Sequence, residues 1–169
     1  MGEYKSKSEK IVPKLKISHK GIFDFKDVYE GLKRWLMHSG YGNESKNLHE
    51  KSYLERIKGD SKQIESRWTA RKEVTGYFAN VIEISFQSIG VTDVEIEKDG
   101  RKVKLQKGKI DITITGTLLK NKNKGWSPLM CSIYENFVIR DRLENYRIGL
   151  YSKVYSLHDE IKAILELPY

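Results

Sequence analysis

Cysteine, proline and long apolar runs are all scarce in this chain. A single cysteine among 169 residues, Cys131, excludes an internal disulfide and a cysteine-built zinc site. No proline falls between Pro128 and Pro168, which leaves that stretch open to one long helix. No run approaches the roughly 18 apolar residues of a membrane span. The first ten residues, MGEYKSKSEK, hold no apolar core of a secretion signal. The expectation is a cytoplasmic chain without a transmembrane segment. Catalytic motifs are missing as well. HExxH, GxSxG, Walker A and GxGxxG do not occur, and His19, His38, His49 and His158 form no i, i+4 pair. No metal, cofactor or catalytic residue is expected, and no enzymatic activity is assigned.

What is there is an ordinary globular balance, 38% hydrophobic and 32% charged, with a net charge of +8. The length suits one domain. The positive charge is local. Residues 1–20 carry six lysines against Glu3 and Glu9, net +4. Residues 101–125 are net +7, and the remainder sums to −3. Such concentrations attract polyanions and anionic membranes. They also solubilise a chain and guard sheet edges.

Residues 1–13 read as a flexible basic arm and 14–169 as the domain. Residues 14–23 alternate Leu15, Ile17, His19 and Phe23 with lysine and serine, a strand pattern. Phe25, Val28, Tyr29, Leu32, Trp35 and Leu36 recur at helical spacing. Asp24 is placed to cap that helix, Phe23 to staple against Val28, and Gly40 to stop it. Residues 41–47 read as a loop and a possible access route. From 48 to 119 the period becomes two, with turn signals at Gly59-Asp60, Thr75-Gly76 and Asp99-Gly100. Strands are predicted near 49–58, 62–74, 77–88, 92–98, 101–106 and 109–119, with a bulge or tight turn at Gly108. Ile64, Trp68, Ala70, Ile82, Ile84, Phe86, Val94, Ile96, Val103, Leu105, Ile110, Ile112, Ile114 and Leu118 fall on one apolar face, which must be covered.

The C-terminus is the cover. Ser127 and Pro128 start a helix. Ile139, Leu143, Tyr146, Leu150, Val154, Leu157, Ile161 and Ile164 form one stripe. Met130, Ile133, Tyr134 and Phe137 are offset from it, which predicts a bend or break near 137–140.

This order is an α+β arrangement of β-α-β6-α type, a curved antiparallel sheet of about seven strands wrapped on a long C-terminal helix. It resembles the helix-grip superfamily of START-type, pollen-allergen and polyketide-cyclase proteins over about residues 14–166. The resemblance is one of topology. It implies lipid or hormone binding, cyclisation chemistry or a chaperone-associated module, and does not choose among them.

Two functional expectations follow. On the inner face, His19, Ser66, Lys72 and Asn80 supply polar groups, and Trp68, Phe86, Tyr134 and Phe137 supply an apolar wall. A binding pocket combines these ingredients, so a non-enzymatic carrier of a small apolar or amphipathic ligand is expected, gated by 41–47 and 120–126. A packed core with polar strand ends reads from the same residues. The alternative is an RNA- or ribonucleoprotein-binding module that uses the basic arm with Lys102, Lys104, Lys107, Lys120, Lys122 and Lys124. The RWTARK segment mixes Trp68 with Arg67, Arg71 and Lys72, but its register turns Trp68 inward, away from a stacking platform. Cys131 reads as a buried filler rather than a reactive thiol. Glu95, Glu97 and Asp99 read as a solvated strand face rather than a cation site.

Overall fold

The computed structural model describes residues 4–41 and 48–166, with the side chains of Leu48 and His49 left aside. Beyond Tyr41, the loop predicted as an access route lies outside the described residues.

Strand β1 (Lys7–Phe23) leads into helix α1 (Phe25–His38). Then come β2 (Leu48–Lys58), β3 (Ser61–Glu73), β4 (Phe78–Lys98) and β5 (Arg101–Lys120). Helix α2 (Pro128–Ile133) runs through a π-helical turn, Tyr134–Val138, into α3 (Arg140–Glu166). The strands form one antiparallel sheet in the order β1-β5-β4-β3-β2. Helices α1 and α3 cover one face of it.

The sheet has five strands, not seven. The segments predicted at 77–88 and 92–98 are a single strand, β4. Its register shifts between Ile89 and Thr92, where Gly90 takes φ +64°. This is a bulge: the extra residue bends the strand without ending it. Likewise 101–106 and 109–119 are one strand, and Gly108 keeps its place in the ladder opposite Gly21. Gly108 is favoured by a close approach of backbone. A Cβ there would lie 3.0 Å from both the Gly90 carbonyl oxygen and Val91 Cα. The true reversals are Gly59-Asp60, where Lys58 pairs with Ser61, and Asp99-Gly100, where both residues have positive φ and Lys98 pairs with Arg101. Positive φ at both turn residues suits the right-handed twist of the flanking strands.

The basic arm is a second correction. From Lys7 onward it is strand, because residues 7–12 find the free edge of β5 between Gly116 and Lys120. A lysine-rich edge strand resists pairing with other chains.

The predicted faces hold. Ile82, Ile84, Phe86, Ile110, Ile112, Ile114 and Leu118 are buried, while Asp111, Thr113, Thr115 and Thr117 are half-exposed. Val94, Ile96 and Val103 are only half-buried, because they lie beyond the bulge in the β4–β5 hairpin. Asp24 caps α1 by accepting from the Asp27 amide, and Gly40 takes φ +83° just past the helix. Ser127 caps α2 by accepting from the Met130 amide.

The helical break predicted near 137–140 is the π-turn. The Ile139 amide reaches the Tyr134 carbonyl, five residues back, at 2.9 Å. That extra residue lets Tyr134 pack inward while Ile139, Leu143, Leu150, Val154, Leu157, Ile161 and Leu165 remain buried. Phe137, expected inside, is turned out to solvent and is 82% exposed.

Candidate functional site

The residues predicted to line a pocket separate into distinct groups. Register decides the separation. Ser66 lies opposite Phe86, Trp68 opposite Ile84, and Lys72 opposite Asn80, whereas His19 pairs with Ile110 on the far side of the sheet.

The first group joins Ser66, Trp68 and Phe86. The Trp68 ring meets Phe86 at 5.7 Å and the α1 residue Tyr29 edge-on at 4.5 Å. The Ser66 hydroxyl donates to Glu50 Oε1 at 2.9 Å, and the Tyr29 hydroxyl donates to Glu50 Oε2 at 3.2 Å. Glu50 stands beside Trp68 across the β2–β3 ladder. Burial and then the Glu50 charge push the Tyr29 phenol above its ordinary range. Trp68 itself is buried, and its indole Nε1 has no hydrogen-bond partner.

The second group sits where α1 ends. Lys72 Nζ donates to the Ser39 carbonyl at 3.2 Å and lies over the Tyr41 ring, 5.8 Å from its centre. Asn80 Nδ2 donates to the Tyr41 hydroxyl at 3.2 Å, while Asn80 Oδ1 is buried without a partner. Burial raises the Tyr41 phenol, opposed by the Asn80 bond.

Tyr134 belongs to a third group. It packs with Tyr77 at 4.8 Å and Trp126 at 4.7 Å, an aromatic cluster between α2 and the β3–β4 turn. The Tyr77 hydroxyl donates to Glu135 at 2.6 Å, and Lys120 bridges Glu135 and Glu9. Arg147 also pairs with Glu9, at 2.9 Å. Burial, then bonds involving Cys131 and Glu135, hold the Tyr77 phenol far above its usual range.

His19 is half-buried beside Phe23, and Phe137 faces water, so neither joins the others. Tyr29, Tyr41 and Glu50 are the residues that sequence reasoning missed. Each reaches the inner face from a neighbouring element, and no local spacing announces that.

The predicted gate at 120–126 is anchored. Asn121 Nδ2 donates to the Lys5 and Trp126 carbonyls, and its Oδ1 accepts from the Trp126 amide. A concavity of about 330 Å³ lies between α1 and α3, edged by Arg34, Trp35, His38 and Glu160. Another, of about 310 Å³ along β2–β4, is lined mainly by Ser52, Leu54, Glu65, Arg67, Ser85 and Gln87, which alternate with Ser66 and Phe86 and so face away from the helices.

The basic residues are less concentrated in space than in sequence. Lys102 lies opposite Glu97 and Lys104 opposite Glu95 across the β4–β5 ladder. Residues 92–107 are thereby net +1. Lys107 lies opposite Thr92. Lys120 is held by Glu9 and Glu135, and Lys122 by Glu73. Lys124 stands at the N-terminal end of β1, where its carbonyl accepts from the Tyr4 amide. Cys131 is buried, with Sγ 3.8 Å from the Trp126 carbonyl oxygen. Among the described residues, no group of three or more His, Cys, Asp or Glu is placed to hold a metal ion. No described helix is long and apolar enough to cross a membrane.

No family model matches the chain. No curated protein matches it in sequence. Among solved structures, it is similar to an uncharacterised protein of Rhizobium leguminosarum at 12% identity, over 95% of this chain and 97% of that one, with a TM-score of 0.21.

Proposed function

We propose that this is a non-enzymatic binding protein of helix-grip-like build. It takes a small amphipathic ligand on the inner face of the sheet, beneath α1. The strand order β1-β5-β4-β3-β2, with a helix between the first two strands in sequence and a long helix last, supports the fold reading.

One observation carries the ligand reading. Trp68 Nε1 and Asn80 Oδ1 are buried on the same sheet face, and neither has a hydrogen-bond partner. An unmet buried polar atom costs about 1–3 kcal/mol, so a chain that keeps two of them gains when a ligand supplies the missing donor and acceptor. Phe86 and Tyr29 provide apolar walls, and Lys72 and Glu50 provide charge of either sign nearby.

Decanoate is a suitable probe of the Trp68 end, because its carboxylate accepts from the indole N–H, though it has no donor for Asn80 Oδ1. Addition of decanoate should shift the indole N–H resonance of Trp68, which the Trp68→Phe variant identifies among the three tryptophans. Native mass spectrometry of freshly purified protein should show an added mass. A bare mass together with an unmoved Trp68 resonance at saturating decanoate overturns the reading.

A further inference from the structure

Helix α2 and the π-turn after it carry a stripe that no part of the described chain covers. Leu129, Ile133 and Phe137 step by four along one side of the helix, and Met130 and Val138 each follow a member of that row. Phe137 is 82% exposed, Leu129 70% and Val138 69%. Met130 and Ile133 are also exposed. The opposite side is anchored through Cys131, Tyr134 and Ile139. Five large apolar side chains standing out together are far more than scattered surface hydrophobes.

The π-turn creates this presentation. With one residue more than an α-turn, it keeps Tyr134 and Ile139 inward and swings Phe137 and Val138 out together. The result is a ridge and not a groove.

Exposed arginines border the stripe at one end. Arg140 and Arg142 follow the turn, are exposed, and have no carboxylate partner among the described residues; Asp141 stands between them. At the other end, Lys124 and Lys5 stand near the start of α2. They are tied there by the Tyr4 amide bond to the Lys124 carbonyl and by the Asn121 bonds to the Lys5 and Trp126 carbonyls. Of the nearby carboxylates, Glu135 is engaged by Lys120 and Tyr77, and Glu144 by Arg147. Tyr4, which is exposed, and Trp126, which is half-buried, add amphipathic rings at this end.

We infer that this ridge is a docking surface for an anionic lipid bilayer. The apolar side chains enter the acyl boundary and the flanking cations meet acidic headgroups. An apolar strip with a cationic border is the chemistry of interfacial membrane attachment, and aromatic rings suit the headgroup layer. Charge argues against a second copy of this chain as the occupant. A two-fold pairing through the ridge would gather Arg140 and Arg142 of both copies at one interface, with Asp141 of each offsetting only half of that charge.

Vesicle co-sedimentation tests the inference with the intact chain. The protein should pellet with phosphatidylcholine vesicles containing about 30 mol% phosphatidylserine, and bind vesicles of phosphatidylcholine alone at least about tenfold more weakly. Leu129→Ser with Phe137→Ser should weaken binding about tenfold or more. Arg140→Glu with Arg142→Glu should do likewise, and about 0.5 M salt should mimic the charge reversal. These residues are exposed, so unchanged circular dichroism and melting will show that the variants still fold. Failure to pellet, or equal binding to both vesicle types, overturns the inference. So does sedimentation velocity showing a dimer that Phe137→Ser dissolves, or binding to polyglutamate without binding to vesicles, which assigns the ridge to an acidic protein.

Discussion

Val154 of α3 rests directly on Gly116 of β5. A Cβ added at Gly116 would lie 2.7 Å from Val154 Cγ2, closer than real Cβ atoms approach. The long helix thus seats on the sheet at a point where the strand offers no side chain. Gly31 of α1 plays the same part beneath Ile164, where an added Cβ would meet Cδ1 at 2.7 Å.

Gly116→Ala should therefore destabilise the protein by about 2 kcal/mol, the usual cost of overpacking a filled core. Val154→Ala should recover part of that loss when the two are combined. Urea unfolding of the double-mutant cycle checks this, and simple additivity would show that the two sites do not touch.

Glu9 should give the protein an acid-sensitive contribution. Burial raises its carboxyl, but bonds from Lys120 and Arg147 outweigh burial and hold it below its ordinary value of 4.5. A depressed folded value means that the stabilisation is complete above the unfolded value and disappears as pH falls through the folded one. The Glu9 side chain is 35% exposed, so solvent screens the pairs. Glu9→Gln should lower Tm by about 3 °C near neutral pH, and the gap from the native chain should narrow progressively as pH falls below the ordinary carboxyl value of 4.5. Thermal melts across pH measure it.

Opposite faces of the π-turn should respond differently to mutation. Phe137→Ser should change stability by less than about 0.5 kcal/mol, because the ring faces water. Tyr134→Ala should cost about 2 kcal/mol, because its ring packs among Tyr77, Phe78 and Trp126. Denaturant midpoints of the two variants provide the comparison, and a large loss from Phe137→Ser would place its ring inside.

Two glycines should differ in the same way. Gly108→Ala meets backbone at 3.0 Å, which has no easy way to yield, and should cost about 2 kcal/mol. Gly76→Ala meets nothing within 4 Å and should be neutral or raise stability by about 0.5 kcal/mol, through a less flexible unfolded chain. Melting temperatures separate them.

Much of the fold is legible in the sequence. Period-two alternation identified the inner residues of β3, β4 and β5, and Asp24, Ser127 and Pro128 marked the helix starts. The strand count was not legible, because a glycine such as Gly90 or Gly108 reads alike whether it turns a chain or bulges it. The candidate site was legible only in part. Ser66, Trp68, Lys72, Asn80 and Phe86 lie on the expected face, but Tyr29, Tyr41 and Glu50 complete the groups through cross-strand and helix–sheet contacts. The lysine run at 101–107 looked strongly basic because its partners, Glu95 and Glu97, sit on the preceding strand.

The sequence by itself determined which side of each strand is apolar and where the helices begin, because local periodicity and capping depend on neighbours a few residues away. Only the tertiary structure decided that five strands share the sheet, that Phe137 turns outward and that two buried polar atoms go unmet. Those outcomes depend on register between distant segments, where a shift of one residue changes which side chains meet.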